Sequence, residues 1–299
     1  MRIRPHILAA LAGLLGTSAP AAAGALSFTP VAVIVVDKKG ARLAAPEGVG
    51  CDAAGNILVA DTQNGRLLRY TLKNGVVTAG VEIKLAELPY PRQVALDDHG
   101  DAVVLDGKTH KLVRVGADGT FKGALDMKRV PGSPIILPVA FSLDATGSLY
   151  VLDSAGNRVV AFDGTGAFTR AVPFPKGPGL FTAIYSDGKG ALYAAEAKTV
   201  ALFRLDPEGV WAQVGDSLSG YLSFPAHLTG DAAGRLFVVD QHGHGVAVVN
   251  HDGSFMGRQL GLGWVEGLVY YPTEICLDGK GNVVVADRGN NRVQIFASH

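Results

Sequence analysis

One short unit is written six times along the chain, and this repetition limits the fold more than any other feature. In each copy a run of apolar residues ends at a carboxylate, and a D-x-x-G turn precedes the run. The six carboxylates, spaced by 43 to 47 residues, are Asp61, Asp106, Asp153, Glu196, Asp240 and Asp287. Five copies open with a proline, at Pro46, Pro91, Pro138, Pro225 and Pro272, and the fourth opens near Phe181.

A repeat of this length that holds four short strands predicts the blades of a β-propeller. We therefore expect an all-β chain with one six-bladed propeller of four-stranded blades over residues 24–299. The last copy lacks an outer strand, because its third strand ends at Phe296. The β-prone run from Phe28 to Val36 belongs to no copy. We expect it to complete blade six and close the ring, which removes open sheet edges.

The repeated pattern resembles the NHL repeat. The resemblance rests on the opening proline, the D-x-x-G turn, the aspartate after the second strand and a following x-x-N-x-R or x-x-x-N-R hairpin. It is close in copies one, three and six, which read DTQNGRLLRY, DSAGNRVVAF and DRGNNRVQIF. Copy two has His110-Lys111 at this place, copy five has His244-Gly245, and copy four diverges most. The resemblance implies a six-bladed propeller, a fold that serves binding modules and enzymes alike.

Residues 1–23 are interpreted as a secretory signal peptide. Arg2 and Arg4 precede an apolar run from Ile7 to Leu15, and Ala21-Ala22-Ala23 offers a cleavage site. This run is too short to span a bilayer, and no later stretch reaches that length. We therefore expect an exported protein, periplasmic or secreted, without a membrane span. The chain has 27 basic and 27 acidic residues, a balance that argues against nucleic acid as a partner.

The six carboxylates that end the second strands are interpreted as scaffold. They stand at equivalent corners of the blades and cannot converge on one point. Each can accept backbone N–H groups in its hairpin, and Arg66, Arg158 and Arg292 are near enough in sequence to pair with three of them.

Function is expected where the blades differ, at the starts of the inner strands around the channel mouth. Polar residues cluster there on one arc, and the candidates for a ligand site are Glu47, Arg92, Gln93, His227 and Glu274. The opposite arc, through Val139, Ala140 and Ala183, is apolar. Convergent polar groups in a pocket are typical of a ligand site. The alternative is a hydrated mouth in which these groups only pair with one another.

An enzyme is the main rival to a binding module. His227, Glu274 and Glu47 are of residue types that hold a divalent metal or move protons, so a metal-assisted hydrolase or lyase is kept as an alternative. The match to such enzymes is incomplete. Amidating lyases of similar fold use several channel histidines around zinc, and only His227 stands at this level. Lactonase-type propellers use Glu, Asn and Asp ligands, and the corresponding asparagines are missing.

The connections from each outer strand to the next inner strand form the second informative feature. They emerge on the face of the channel mouth, and several are long and apolar. Loops on a rigid scaffold commonly carry binding, and aromatic residues are enriched in binding hot spots. The predicted aromatic rim consists of Tyr90, Tyr221, Phe224, Trp264, Tyr270 and Tyr271. Some of these rings are expected to fold inward and cap the blade cores.

Two further groups are given weaker interpretations. The hairpin His242-Gly243-His244 has a His-x-His spacing but is interpreted as solvated, away from the channel mouth. Cys51 and Cys276 lie in the inner strands of blades one and six, which meet at the ring closure. An exported protein permits a disulfide between them, and both the bonded and the free state are left open. The favoured function is that of a monomeric, exported module that binds a protein, peptide or small molecule.

Overall fold

The computed structural model describes residues 26–132, 135–177 and 179–299. The predicted signal peptide, residues 1–23, lies outside this range. The described residues form six four-stranded antiparallel sheets arranged as blades around a central channel. The predicted six-bladed propeller is therefore confirmed. In the part of the chain described, no helix has the length and apolar character needed to cross a membrane.

Five blades are continuous in sequence, and their strands run outward from the channel in chain order. Blade one contains β2 Gly48–Cys51, β3 Asn56–Asp61, β4 Arg66–Lys73 and β5 Val76–Ile83. Blade two contains β6 Pro91–Leu96, β7 Ala102–Asp106, β8 Leu112–Val115 and β9 Phe121–Ala124. Blade three contains β10 Pro138–Leu143, β11 Leu149–Asp153, β12 Arg158–Phe162 and β13 Phe168–Pro173. Blade four contains β14 Phe181–Ser186, β15 Leu192–Glu196, β16 Ala201–Leu205 and β17 Trp211–Val214. Blade five contains β18 Pro225–Gly230, β19 Leu236–Asp240, β20 Gly245–Val249 and β21 Phe255–Gln259.

Blade six is built from both ends of the repeat region. Its inner strands are β22 Ile275–Leu277, β23 Asn282–Asp287 and β24 Arg292–Ser298, and its outer strand is β1 Phe28–Ile34. β1 pairs antiparallel with β24, which confirms the predicted closure. The strand stops two residues short of the predicted Val36, which instead forms an isolated bridge with Arg42. One-turn 3-10 helices, Thr62–Asn64 and Arg288–Asn290, shape the hairpins of blades one and six.

The hydrophobic core is divided into layers between neighbouring blades. The second strands of blades four and five are buried at every position rather than at alternate positions, because both of their faces are covered. The layer between blades one and six, for example, contains Val59, Leu68, Val284 and Ile295. Each blade thus depends on two neighbours for burial of its apolar surface.

The carboxylates at the blade corners are fully buried and hydrogen-bonded, as a scaffold requires. Asp287 accepts a bond of 2.7 Å from the backbone N–H of Tyr270 and one of 2.7 Å from Arg292 Nε. The first donor belongs to the loop that enters the blade and the second to the hairpin that follows. The corner therefore ties two separate segments together. Arg66 pairs with Asp61 at 2.7 Å and Arg158 with Asp153 at 2.9 Å in the same way.

Three corners lack the hairpin arginine and replace it differently. Asp240 of blade five pairs at 2.9 Å with Arg258, which comes from the outer strand β21. Asp106 accepts backbone N–H groups, including that of Tyr90 at 2.6 Å. Glu196 of blade four also relies on backbone groups and a threonine. Its hairpin places Val200 at a left-handed φ of 52°, a conformation that is strained for a β-branched residue.

A disulfide joins the two blades that meet at the closure. Cys51 on β2 and Cys276 on β22 are bonded, with their Cα atoms 5.9 Å apart and the two residues 225 positions apart in sequence. The bond links the inner strands of blades one and six, while β1 closes the outer edge of blade six.

Candidate ligand-binding site at the channel mouth

A cavity of about 570 Å³ opens at the mouth of the channel. Two kinds of segment form its wall: the starts of the inner strands and the first residues of the hairpins that follow the corner carboxylates. All five polar candidates line it, namely Glu47, Arg92, Gln93, His227 and Glu274. Its volume lies within the range of small-molecule sites, about 300–1,000 Å³.

The floor of the cavity contains a contact between His227 and Glu274. His227 Nε2 lies 3.3 Å from Glu274 Oε1, and the carboxylate is almost completely buried. Its other oxygen, Oε2, accepts the backbone N–H of Val49 at 2.8 Å and that of Val94 at 3.3 Å. Glu274 of blade six therefore reaches across blade one to blade two.

A glycine makes this reach possible. A Cβ on Gly48 would lie 2.8 Å from the carbonyl oxygen of Arg92, closer than real Cβ atoms approach, and 3.0 Å from Glu274 Oε2, which is tighter than most real Cβ contacts. The absent side chain thus leaves the room that the carboxylate occupies. Burial raises the pKa of Glu274, and the hydrogen bonds from His227, Val49 and Val94 offset this only in part.

Glu47 lies between two arginines on the wall of the cavity. Its Oε1 accepts a bond of 3.0 Å from Arg288 Nε, and its Oε2 lies 3.3 Å from Arg92 Nε. The Tyr90 hydroxyl donates to Oε1 at 3.3 Å. Burial and the negative charge of Glu47 raise the pKa of Tyr90, which keeps this hydroxyl a donor near neutral pH. Glu47 and its partners come from blades one, two and six, so the group crosses the ring closure.

Gln93 has a structural role within the same wall. Its side-chain amide donates to the carbonyl oxygen of Phe141 at 2.9 Å and accepts the N–H of Phe141 at 3.0 Å. This pair of bonds links the inner strands of blades two and three. One N–H and one lone pair of the amide are therefore used to join the two blades.

The opposite wall of the cavity is mainly apolar, although Ser154, Thr182 and Gln241 of the same blades also line it. It is lined by Val139, Ala140, Leu180, Phe181, Phe224 and Ala226. The predicted member Ala183 is buried in the core instead and does not line the cavity. The cavity therefore has one charged side and one apolar side.

A row of rings in contact with one another runs outward from the cavity, and we call it the aromatic strip. Phe224 stacks on His242 at 4.8 Å, and His242 meets Tyr271 edge-on at 6.0 Å. The row continues from Tyr271 to Tyr270 at 4.8 Å and from Tyr270 to Trp264 at 6.1 Å. Trp264 ends the strip and is 71% exposed. Phe224 also lines the cavity, so cavity and strip are continuous.

The other two members of the predicted rim lie apart from the strip. Tyr90 lines the cavity beside Glu47. Tyr221 stacks on Phe255 at 4.0 Å and is half exposed.

The histidine hairpin is exposed at His242, as expected from the sequence, and partly buried at His244. His244 packs against Tyr270 and Tyr271 at 5.3 and 4.8 Å, and its Nδ1 accepts the N–H of Tyr271 at 3.1 Å. His242 belongs to the aromatic strip itself. Burial lowers the pKa of His244, so this ring is neutral at physiological pH.

The donor set at the cavity does not fit a bound metal. Within the described ranges, no group of three or more His, Cys, Asp or Glu side chains is arranged to hold an ion. Glu47 faces two cationic guanidiniums, and Glu274 spends one oxygen on backbone N–H groups and the other on His227. Metal-ligating carboxylates and imidazoles need free lone pairs directed at one point, and these three residues do not provide them.

Four lining residues follow the corner carboxylates directly and were not among the sequence candidates. They are Gly107, Ser154, Gln241 and Arg288. Each stands one position after the aspartate that ends a second strand, and in these four blades that position faces the channel mouth. The sequence did contain a signal for these residues. The position directly after the corner carboxylate holds a different residue in each of the six blades, and variation between repeats is what marks a functional position here.

Comparison with known proteins supports the repeat assignment. Residues 269–296 match the family model of the NHL repeat. The chain is also 33% identical over 121 residues to E3 ubiquitin-protein ligase TRIM71 from Xenopus tropicalis. That match spans 37% of this chain and only 15% of the ligase.

Solved structures of other propellers share the fold over most of the chain. Virginiamycin B lyase from Staphylococcus aureus is 15% identical, with a TM-score of 0.62 over 91% of this chain and 99% of the lyase. A gluconolactonase from Xanthomonas campestris is 14% identical, with a TM-score of 0.67 over 91% of this chain and 97% of that enzyme. A protein of unknown function from Bacteroides thetaiotaomicron is 18% identical, with a TM-score of 0.68 over 92% and 76% of the two chains. At these identities the likeness is one of fold alone.

Proposed function

We propose that this six-bladed propeller with an NHL repeat is an exported binding protein whose ligand enters the channel-mouth cavity and extends over the aromatic strip. The observation that carries the proposal is the continuity of the two surfaces at Phe224. A concave site with few polar groups and an adjoining row of rings is typical of ligand recognition. The blade corners form a rigid frame below this face, which suits a preformed site.

Export is supported by two independent features of the chain. Residues 1–23 have the layout of a cleaved signal segment, and the Cys51–Cys276 disulfide suits an oxidising compartment. N-terminal sequencing of the mature protein is expected to begin at Gly24. A mature protein that retains residues 1–23 would contradict export by this route.

The binding role is tested with a neutral fluorescent probe, N-phenyl-1-naphthylamine, whose emission rises in an apolar site. We expect saturable binding to the wild type and about tenfold weaker binding to Phe224→Ala, since truncation of a central aromatic anchor costs roughly 1–2 kcal/mol or more. The matched control is Phe121→Ala, a 44% exposed ring on the outer strand of blade two. Equal loss in both variants, or no saturable binding to the wild type, would overturn the proposal.

A hydrolase or lyase at the same mouth is the second candidate, and the His227–Glu274 contact favours it. The ring is poorly presented for catalysis, because Nε2 faces Glu274 and Nδ1 is buried without a partner among the described residues. The chemistry named for two structural neighbours supplies the test substrates, a gluconolactone and virginiamycin B. Turnover by the wild type that is lost in His227→Ala and kept in His251→Ala would put catalysis first. His251 lies in an exposed turn of blade five.

A further inference from the structure

We propose that the ligand of the channel-mouth cavity is an amphipathic carboxylate, with its anionic head on Arg92 and Arg288 and its apolar body along the opposite wall. This inference rests on the proposed binding function and specifies the class of molecule bound. It is carried by the unused hydrogen-bonding capacity of two arginines and by the division of the cavity into two sides.

The first step concerns the donors. Each guanidinium contacts Glu47 through Nε, at 3.3 Å from Arg92 and at 3.0 Å from Arg288. In the described part of the chain, no other hydrogen bond or ion pair is made by either side chain. Both terminal nitrogens of each guanidinium are therefore available, and both residues line the cavity.

The second step concerns position. The side chain of Arg92 packs against Gly107. A Cβ added to Gly107 would lie 2.8 Å from Cδ and 3.2 Å from Cγ of Arg92. Gly107 thus leaves room for the aliphatic stem of Arg92 against the wall. Glu47 is only 9% exposed and lies between the two arginines, in contact with both. The two guanidiniums are therefore anchored near each other before any ligand arrives, which lowers the entropic cost of binding.

The third step concerns charge. Within the group formed by Arg92, Glu47 and Arg288, two cations face one carboxylate, which leaves a single net positive charge. The other carboxylate of the cavity, Glu274, is bonded to His227 and to backbone N–H groups rather than to these arginines. A guanidinium presents parallel N–H donors that match a carboxylate in a bidentate way. Arg92 and Arg288 are 51% and 36% exposed in their side chains, so a head group can reach them from the mouth. A singly charged carboxylate neutralises the net charge of the Arg92–Glu47–Arg288 group, whereas a doubly charged phosphate gives the group an excess negative charge.

The fourth step concerns the body of the ligand. Facing the arginines are Leu180, Phe181 and Phe224, together with smaller apolar residues of blades three and five. Leu180 is 53% exposed, so apolar surface remains to be covered there. A molecule with a carboxylate at one end and a hydrocarbon or aromatic body satisfies both sides of the cavity at once.

The experiment measures displacement of N-phenyl-1-naphthylamine by three eight-carbon competitors at pH 7.5: octanoate, octanol and octyl phosphate. For the wild type we expect octanoate to displace the probe at about tenfold lower concentration than octanol, the size of a charge-assisted hydrogen bond. Octyl phosphate is expected to displace the probe only at higher concentrations than octanoate. In the double variant Arg92→Gln/Arg288→Gln, octanoate should lose its advantage over octanol, while octanol itself is unchanged.

The control is Arg129→Gln, an arginine that is 90% exposed and lies outside the cavity, and it should behave as the wild type. Thermal melts establish that each variant is folded. Equal displacement by octanoate and octanol, with the probe still bound, would overturn the carboxylate proposal and leave the binding function standing. Stronger displacement by octyl phosphate would also overturn it. Failure of the wild type to bind the probe would overturn both.

Discussion

Glu196 and Glu274 are the same residue type and both are buried, yet their environments shift the pKa in opposite directions. At the corner of blade four, burial raises the pKa of Glu196, but donors including the N–H and hydroxyl of Thr199 and the N–H of Leu180 outweigh it and lower the pKa. At the channel mouth, burial dominates and the pKa of Glu274 is raised. Glu196 takes its donors from its own blade and from the loop that enters it, whereas Glu274 takes them from blades one, two and five.

This difference separates scaffold from site within one repeat architecture. A buried carboxylate surrounded by hydrogen-bond donors is stable as an anion. At the blade corners it fixes the entering loop and the following hairpin, and each blade needs such a connection. A buried carboxylate with few donors costs folding free energy. Such groups are retained where they do something besides support the fold, and here Glu274 lies at the floor of the cavity.

Removal of a corner arginine should cause the largest loss. Arg292→Ala leaves the buried Asp287 without its charged partner, and we expect the free energy of unfolding to fall by about 3–5 kcal/mol. Chemical denaturation measures it, with the exposed Arg129→Ala as control, expected near zero. A fall of less than about 1 kcal/mol in the free energy of unfolding would show that the corner ion pair does not support the fold.

A neutral side chain at the corner of blade four should have an intermediate effect. In Glu196→Gln, the amide nitrogen faces groups that donate to the carboxylate, and we expect a loss of about 1–3 kcal/mol at neutral pH. The folded pKa of Glu196 is lowered, so its contribution is present above the ordinary pKa and is lost as the pH falls through the folded pKa. Denaturation at pH 7 and at pH 4 should therefore show the gap between variant and wild type narrowing in acid.

A Glu→Gln substitution at Glu274, in the channel mouth, should have the smallest effect on stability and should stabilise the fold instead of destabilising it. The folded pKa of Glu274 is raised, so the stabilisation of its protonated form is present below the ordinary pKa and is lost as the pH rises through the folded value. Glu274→Gln imitates the protonated form. We expect it to melt at or above the wild-type temperature at pH 8, with the difference fading toward pH 4. A variant clearly less stable than the wild type at pH 8 would place Glu274 with the scaffold.

The sequence was sufficient for the fold because the repeat encodes it in short-range patterns. The D-x-x-G turns, the apolar runs and the corner aspartates lie within a few residues of one another, and the three hairpin arginines pair as expected. The partner of Asp240 was beyond such reasoning. Arg258 comes from another strand eighteen positions away, and only the folded blade brings the two together.

The cavity at the channel mouth was predictable in its position, and its lining residues were less so. The starts of the inner strands pointed to Glu47, Arg92 and His227, but Arg288 follows a corner carboxylate, where the repeat suggested only scaffold. The role of the histidine hairpin depends on rings in the next blade, a contact with no trace in local sequence. Gln93 looked like a ligand group, yet its amide is used to join blades two and three.

The pairing of β1 with β24 also determines how the molecule comes apart. In an open array of repeats the end units have one neighbour and fray first, and blade four would be a weak end, with Val200 in a strained left-handed conformation and no arginine at its corner. In the closed ring every blade is an interior unit, and loosening blade four exposes two interfaces at once. We therefore expect a single cooperative melting transition, in which an imperfect repeat persists in the ring without producing a partly unfolded form.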